Sequence, residues 1–126
     1  MKGATPAWDF DGQRRDSAEI FRELQRESGL APGTPITLDL HFVPGEEDAD
    51  EAGFVAALER AGFDVVVLPE DGTVEASVPG VPFEADAIWR HEERATRIAL
   101  SRGYDPDGWG FYDPHGEEAG AEDPNP

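Results

Sequence analysis

Two hydrophobic periods divide this chain into elements. Over residues 11–28, Ser17, Ile20, Phe21, Leu24 and Ser28 recur at helical spacing, which predicts a helix with one inward stripe. Arg14, Arg15, Arg22 and Arg26 alternate with Asp16, Glu19, Glu23 and Glu27 around the rest of its surface, as on a solvated face. Gly29 supplies a stop and Ala31-Pro32-Gly33 a loop. Over residues 35–43 the period changes to two. Ile36, Leu38, Leu40 and Phe42 alternate with Thr37, Asp39 and His41, which predicts a strand with an apolar face and a polar face. Residues 48–62 return to the helical period. Asp48 or Asp50 serves as cap, Phe54, Ala57, Leu58 and Ala61 point inward, and Gly62 closes the helix.

Residues 63–68 form a short apolar run, and residues 73–78 alternate through Val74, Ala76 and Val78. The Pro69-Glu70-Asp71-Gly72 turn between them predicts a hairpin. Pro79-Gly80-Val81-Pro82 breaks the pattern before a third helix over 84–102, with Ile88, Ala95, Ile98 and Ala99 inward and Gly103 as its stop. Asp105-Pro106-Asp107-Gly108 reads as a turn leading to a final strand over 109–112. Residues 116–126 carry glycine, proline and acids with no apolar side chain beyond alanine. Such a segment cannot offset its ordering entropy, so an acidic disordered tail is expected.

Without the first helix and the tail, the order is strand–helix–strand–strand–helix–strand. That order predicts an α+β ferredoxin-like sandwich, in which two helices cover one face of a four-stranded antiparallel sheet. The first helix must then bury its Ile20, Phe21 and Leu24 stripe against the sheet edge or the open sheet face. The expected organisation is an extension over 1–10, one domain over 11–115 and the tail over 116–126. A length of 126 residues suits a single domain.

Charge narrows the function classes. Twenty-eight acidic residues against ten basic ones give a net charge of −18. Nucleic acid and anionic membrane surfaces repel such a chain, whereas basic protein segments attract it. RNA-binding domains of this fold place aromatics and basic residues on the open sheet face. Here that face offers Thr37, Asp39 and His41, so no direct nucleic-acid contact is expected. There are no cysteines, which removes disulfides and thiolate metal sites. No apolar run reaches membrane-spanning length and no secretory leader is read at the start, so the expected compartment is the cytoplasm and no membrane partner is expected.

No reaction centre emerges. His91-Glu92-Glu93-Arg94-Ala95 begins like the zinc-protease helix motif but has Ala95 where the second histidine belongs. His41, His91 and His115 lie on three different elements. There is no phosphate loop and no nucleophile elbow. Arg90, Arg94 and Arg97 share one helix face and read as partners for nearby acids. The expectation is a non-enzyme with no catalytic residue, no metal and no cofactor.

The most unusual segment is Tyr104-Asp105-Pro106-Asp107-Gly108-Trp109-Gly110-Phe111-Tyr112. Trp109 either caps the core at the sheet end or, with Tyr112, anchors a partner. Asp105, Asp107 and Gly108 complete the candidate partner-binding set. This segment resembles the hallmark of the regulator of ribonuclease E activity B (RraB) family, an Asp-Gly-Trp followed closely by a Tyr, a short Asp-Pro element and an acidic tail. The matching positions are Asp107-Gly108-Trp109, Tyr112, Asp113-Pro114, and Glu117-Glu118 onward. Leu40-His41-Phe42 and Gly62-Phe63-Asp64-Val65 are similar as well, although Asp105-Pro106 stands between Tyr104 and Asp107 where members run Tyr-Asp-Gly-Trp. The resemblance implies a ferredoxin-like fold and an acidic inhibitor that binds an endoribonuclease of the ribonuclease E type and alters RNA decay without cleaving RNA. The alternative expectation is a small-ligand sensor or adaptor built on a dimeric ferredoxin-like sheet.

Overall fold

The computed structural model describes residues 8–113 and 118–120. The elements are α1 (Phe10–Ser28), β1 (Pro35–Pro44), α2 (Glu51–Arg60), β2 (Asp64–Val67), β3 (Val74–Pro82), α3 (Ala85–Ser101), β4 (Tyr104–Tyr112) and β5 (Glu118–Gly120). The sheet runs β2-β3-β1-β4-β5 with every neighbouring pair antiparallel. The chain is thus α+β, and its four-stranded order β2-β3-β1-β4 is compatible with a ferredoxin-like sandwich.

β1 lies between β3 and β4 and sets the two faces of the sheet. Leu38 faces Val78 on one side and Phe111 on the other, and Leu40 faces Ala76 and Trp109. These side chains join Ile36, Phe42, Phe54, Leu58, Ile88, Ala95 and Ala99 in one core under the helices. Rings fill its centre: Phe54 packs edge-on against Phe42 at 5.4 Å and lies 4.5 Å from Tyr104. The other face of β1 carries Thr37, Asp39 and His41.

Local chemistry explains the helix ends. Asp9 accepts a hydrogen bond from the Gly12 amide and caps α1, and Asp50 accepts from Gly53 and caps α2. Gly29 ends α1 in the left-handed conformation at φ 68°. Gly103, between α3 and β4, has φ 85°, and a Cβ there would meet the Ala49 Cα at 3.0 Å.

Several expectations change. The Asp105-Pro106-Asp107-Gly108 stretch is part of β4 rather than a turn before it, with Asp105 opposite Val43 and Pro106 opposite Phe42. The register shifts between Leu40 and Phe42, so the added residue in β4 is absorbed as a bulge in which Gly108 adopts φ 96°. Likewise β3 continues through Pro79-Gly80-Val81-Pro82, with a register shift between Ile36 and Leu38. Turn-forming residues here deform strands without ending them, because pairing with β1 on its long edges holds the backbone extended. In the expected tail, Glu118–Gly120 pairs with Gly110 to Tyr112 as β5, because β4 otherwise presents unpaired backbone groups there. The rest of that stretch lies outside the described residues. Finally, α1 stays off the open face and reaches the edge strand β5 from the helix side. It packs beside α3 in the helix layer, with Phe21 4.7 Å from Phe83 and Leu24 in the core.

Phe54 is fully enclosed, so the Phe54→Ala variant is expected to lose about 3–5 kcal/mol of stability in urea denaturation through lost contacts and a residual cavity.

Candidate functional site

β4 distributes the residues singled out in the sequence between two faces. Trp109 and Phe111 turn toward the helices, opposite Leu40 and Leu38. Tyr112, opposite Thr37, turns the other way. Trp109 is 2% exposed and Tyr112 is 37% exposed. The two aromatics expected to act together as anchors therefore cannot meet one partner surface, since adjacent odd and even strand positions point to opposite sides. Trp109 takes the core-capping place, and Tyr112, Asp105 and Asp107 remain on the surface.

On the helix side, β4, α1 and α3 leave a cavity of about 570 Å³ between them. Its wall includes Trp8, Gln13, Asp16, Glu92, Gly108 and Trp109. The α1–α3 seam beside it is polar. The Gln13 side chain donates from Nε2 to Glu92 Oε2 at 3.2 Å and to Thr96 Oγ1 at 3.0 Å, and its Oε1 accepts from Trp8 Nε1 at 2.8 Å. Two buried polar atoms of the wall, Glu92 Oε1 and Trp109 Nε1, have no hydrogen-bond partner among the described residues. Both atoms are sealed from solvent, so they are packed behind the cavity surface rather than presented on it.

Glu92 is 7% exposed. Burial raises its pKa from the ordinary 4.5 to about 7; the neighbouring Ser17 hydroxyl and Gln13 amide pull it partly back down, and the Asp16 carboxylate pushes it up. Such a carboxyl group changes charge near neutral pH. The cavity also gathers Asp9 and Asp16, and no lysine or arginine lines it among the described residues.

The opposite sheet face holds a second polar group. Asp39, only 5% exposed, uses one carboxylate oxygen toward His41 Nε2 at 2.8 Å and the other to accept from Ser77 Oγ at 2.9 Å. Glu75 lies 4.0 Å from His41, so Asp39, His41 and Glu75 bring three potential ligand atoms within 4.8 Å of one another. One imidazole and two carboxylates could hold a divalent cation. In this arrangement, however, His41 and Ser77 satisfy the buried Asp39, which accounts for the contacts without an ion. The arginines of α3 split as well. Arg97 pairs with Glu93 at 2.8 Å and lies over the Phe10 ring, while Arg94 lies over Phe63.

Sequence patterning placed Ser17 on the inward stripe of α1 but missed Glu92, Thr96 and Gln13. It gave α3 one inward stripe, but α3 has a second, running through Trp89, Glu92 and Thr96, because α1 covers it. A tryptophan at i, i+3, i+7 spacing with Glu92 and Thr96, on a face otherwise read as polar, was the available signal.

Because burial disfavours ionised Glu92, the folded chain holds a proton there that the unfolded chain releases above about pH 4.5, and stability falls as pH rises from there to about 7. Glu92→Gln is expected to flatten that window and to raise stability at pH 8 by about 2–3 kcal/mol, read by denaturation at a series of pH values.

No described helix is long and apolar enough to cross a membrane. No protein-family model matches this chain, and no curated protein matches it.

Proposed function

We propose that this chain is a non-catalytic regulatory protein that acts by binding a protein partner with basic segments, through the outer edge of a ferredoxin-like β-α-β-β-α-β unit to which α1 is added. The observation that carries this reading is the placement of charge. Among the described residues only two carboxylates, Asp39 and Glu92, are buried, so the acidic excess of those residues is turned to solvent. Asp105, Asp107 and Tyr112 lie in that field on β4, offering an aromatic contact with acids beside it. The similarity of Asp107-Gly108-Trp109 and Tyr112 to the RraB hallmark supports an endoribonuclease of the ribonuclease E type as partner, with an effect on RNA decay and no direct contact with RNA. Complementary charge of this kind speeds encounter and is weakened by salt.

A second reading, a small-ligand sensor, is favoured by the cavity walled by Glu92 and Trp109, whose volume lies within the usual range of ligand sites.

The first reading is tested by adding the purified chain to a purified endoribonuclease of the ribonuclease E type and following RNA cleavage. Inhibition is expected, weakening with added salt. Combining Asp105→Asn, Asp107→Asn and Tyr112→Ala should raise the concentration needed by about tenfold or more. Unchanged cleavage together with no detectable complex would dismiss it.

A further inference from the structure

The seam between α1 and α3 has two halves of different chemistry. Toward its C-terminus α1 is held by apolar packing: Phe21 lies 4.7 Å from Phe83, and Leu24 is enclosed in the core. Toward its N-terminus the contact is polar. Gln13 donates to Glu92 Oε2 and to Thr96 Oγ1, and the Ser17 hydroxyl also reaches Glu92. Arg14 pairs with Asp86 at the surface at 3.2 Å, and Arg97 lies over the Phe10 ring at 4.2 Å. Exposed ion pairs add little, so the hold on this half depends heavily on Glu92, the group that Gln13 and Ser17 share.

Glu92 is badly placed to carry a charge. It is 7% exposed, and its Oε1 is sealed from solvent with no hydrogen-bond partner among the described residues. A neutral carboxyl there is tolerable; an ionised one is an uncompensated buried charge, which costs far more. The surroundings bring no relief. From α1 the Asp16 carboxylate adds a like charge, and Asp9 is also on the cavity wall. β4 brings Pro106, Gly108 and Trp109 to the same wall, none of them charged. On α3 itself Glu93 and Arg97 pair with each other, and His91 lies against Phe63. An ionised Glu92 regains water when α1 moves, because α1 is the cover over this stripe of α3.

We propose that the N-terminal half of α1 is a pH-sensitive cover, docked on α3 while Glu92 keeps its proton and lifting from α3 when Glu92 loses it. Phe21 and Leu24 hold the C-terminal half, so the movement is an opening of the first turns and not a release of the whole helix. Opening hydrates Glu92 and bares the stripe of α3 that runs through Trp89, Glu92 and Thr96. The stability lost as pH rises therefore appears first as a local opening, below the level of global unfolding. Burial holds the docked carboxyl at about 7, against 4.5 for the ordinary group that opening restores. The proton favours the docked form, so the opening constant is flat below about pH 4.5, rises up to about pH 7 and is flat again beyond, a gain of about 300-fold in all. This device is independent of both the endoribonuclease and the ligand-sensor readings.

Native-state amide hydrogen exchange on the full chain from about pH 4 to about pH 8, corrected for the intrinsic rate, tests it. Amides of residues 14–18 are expected to be less protected than those of Leu38 and Leu40 in β1, and to lose about 300-fold in protection across the window. Glu92→Gln, which cannot ionise, is expected to remove that step. Asp16→Asn is expected to end the rise at lower pH, because the like charge that pushes the Glu92 carboxyl up is gone. Protection of residues 14–18 equal to that of β1 at every pH overturns the proposal, since α1 then opens only with the whole fold. A step that survives in Glu92→Gln belongs to another group and overturns it as well. Should Glu92→Gln fail to fold, Asp16→Asn decides: a rise that moves to lower pH supports the proposal, and one that stays in place overturns it.

Discussion

The alternation along β1 is the constraint on which the other elements rest. This strand pairs with β3 on one edge and β4 on the other, so both neighbours must adopt its division into faces. Leu38, Leu40 and Phe42 commit Val78, Ala76 and Val74 to the helix side, together with Phe111 and Trp109. Shifting β1 by one residue against its two neighbours would exchange the apolar row for Asp39 and His41 and bury charge under the helices. The bulges in β3 and β4 follow from this. Proline and glycine within long strands are accommodated by local register shifts, which preserve the facing of the remaining residues.

α1 adds a condition of its own. A βαββαβ unit with two helices would leave part of α3 and the helix side of β4 uncovered. α1 covers that part of α3, but its contact with α3 is only partly apolar. Phe21 and Leu24 reach the core, whereas Gln13 and Ser17 meet the stripe of α3 that carries Glu92 and Thr96. Burying a carboxyl group at such a seam is unfavourable when it is ionised, and the raised pKa of Glu92 expresses that cost. The same seam opens into the cavity. A partly polar contact between two helices thus borders a cavity of ligand size.

The segment from Tyr104 to Tyr112 serves both sides. Its odd positions after the bulge, Trp109 and Phe111, close the core and the cavity wall, and Tyr112 faces away with the exposed acids of the strand nearby. An interaction at the outer face and a ligand at the inner face would therefore act on the same strand.

The sequence by itself determined the elements and their order, since hydrophobic periods of two and 3.6 and the capping aspartates are local properties. Asp50, Phe54, Leu58 and the alternation from Ile36 to Phe42 are all legible from residues within a few positions of one another. Tertiary structure alone decided where α1 docks, that Asp105 to Gly108 runs as strand, that residues 118–120 join the sheet, and which face receives Trp109. It also decided that Glu92 is buried and Asp16 is not. Both are acids on amphipathic helices, and the difference arises only from which helix packs against which. Local patterning encodes the faces of an element, but the identity of the surface that covers each face depends on contacts distant in the chain, as between Gln13 and Thr96.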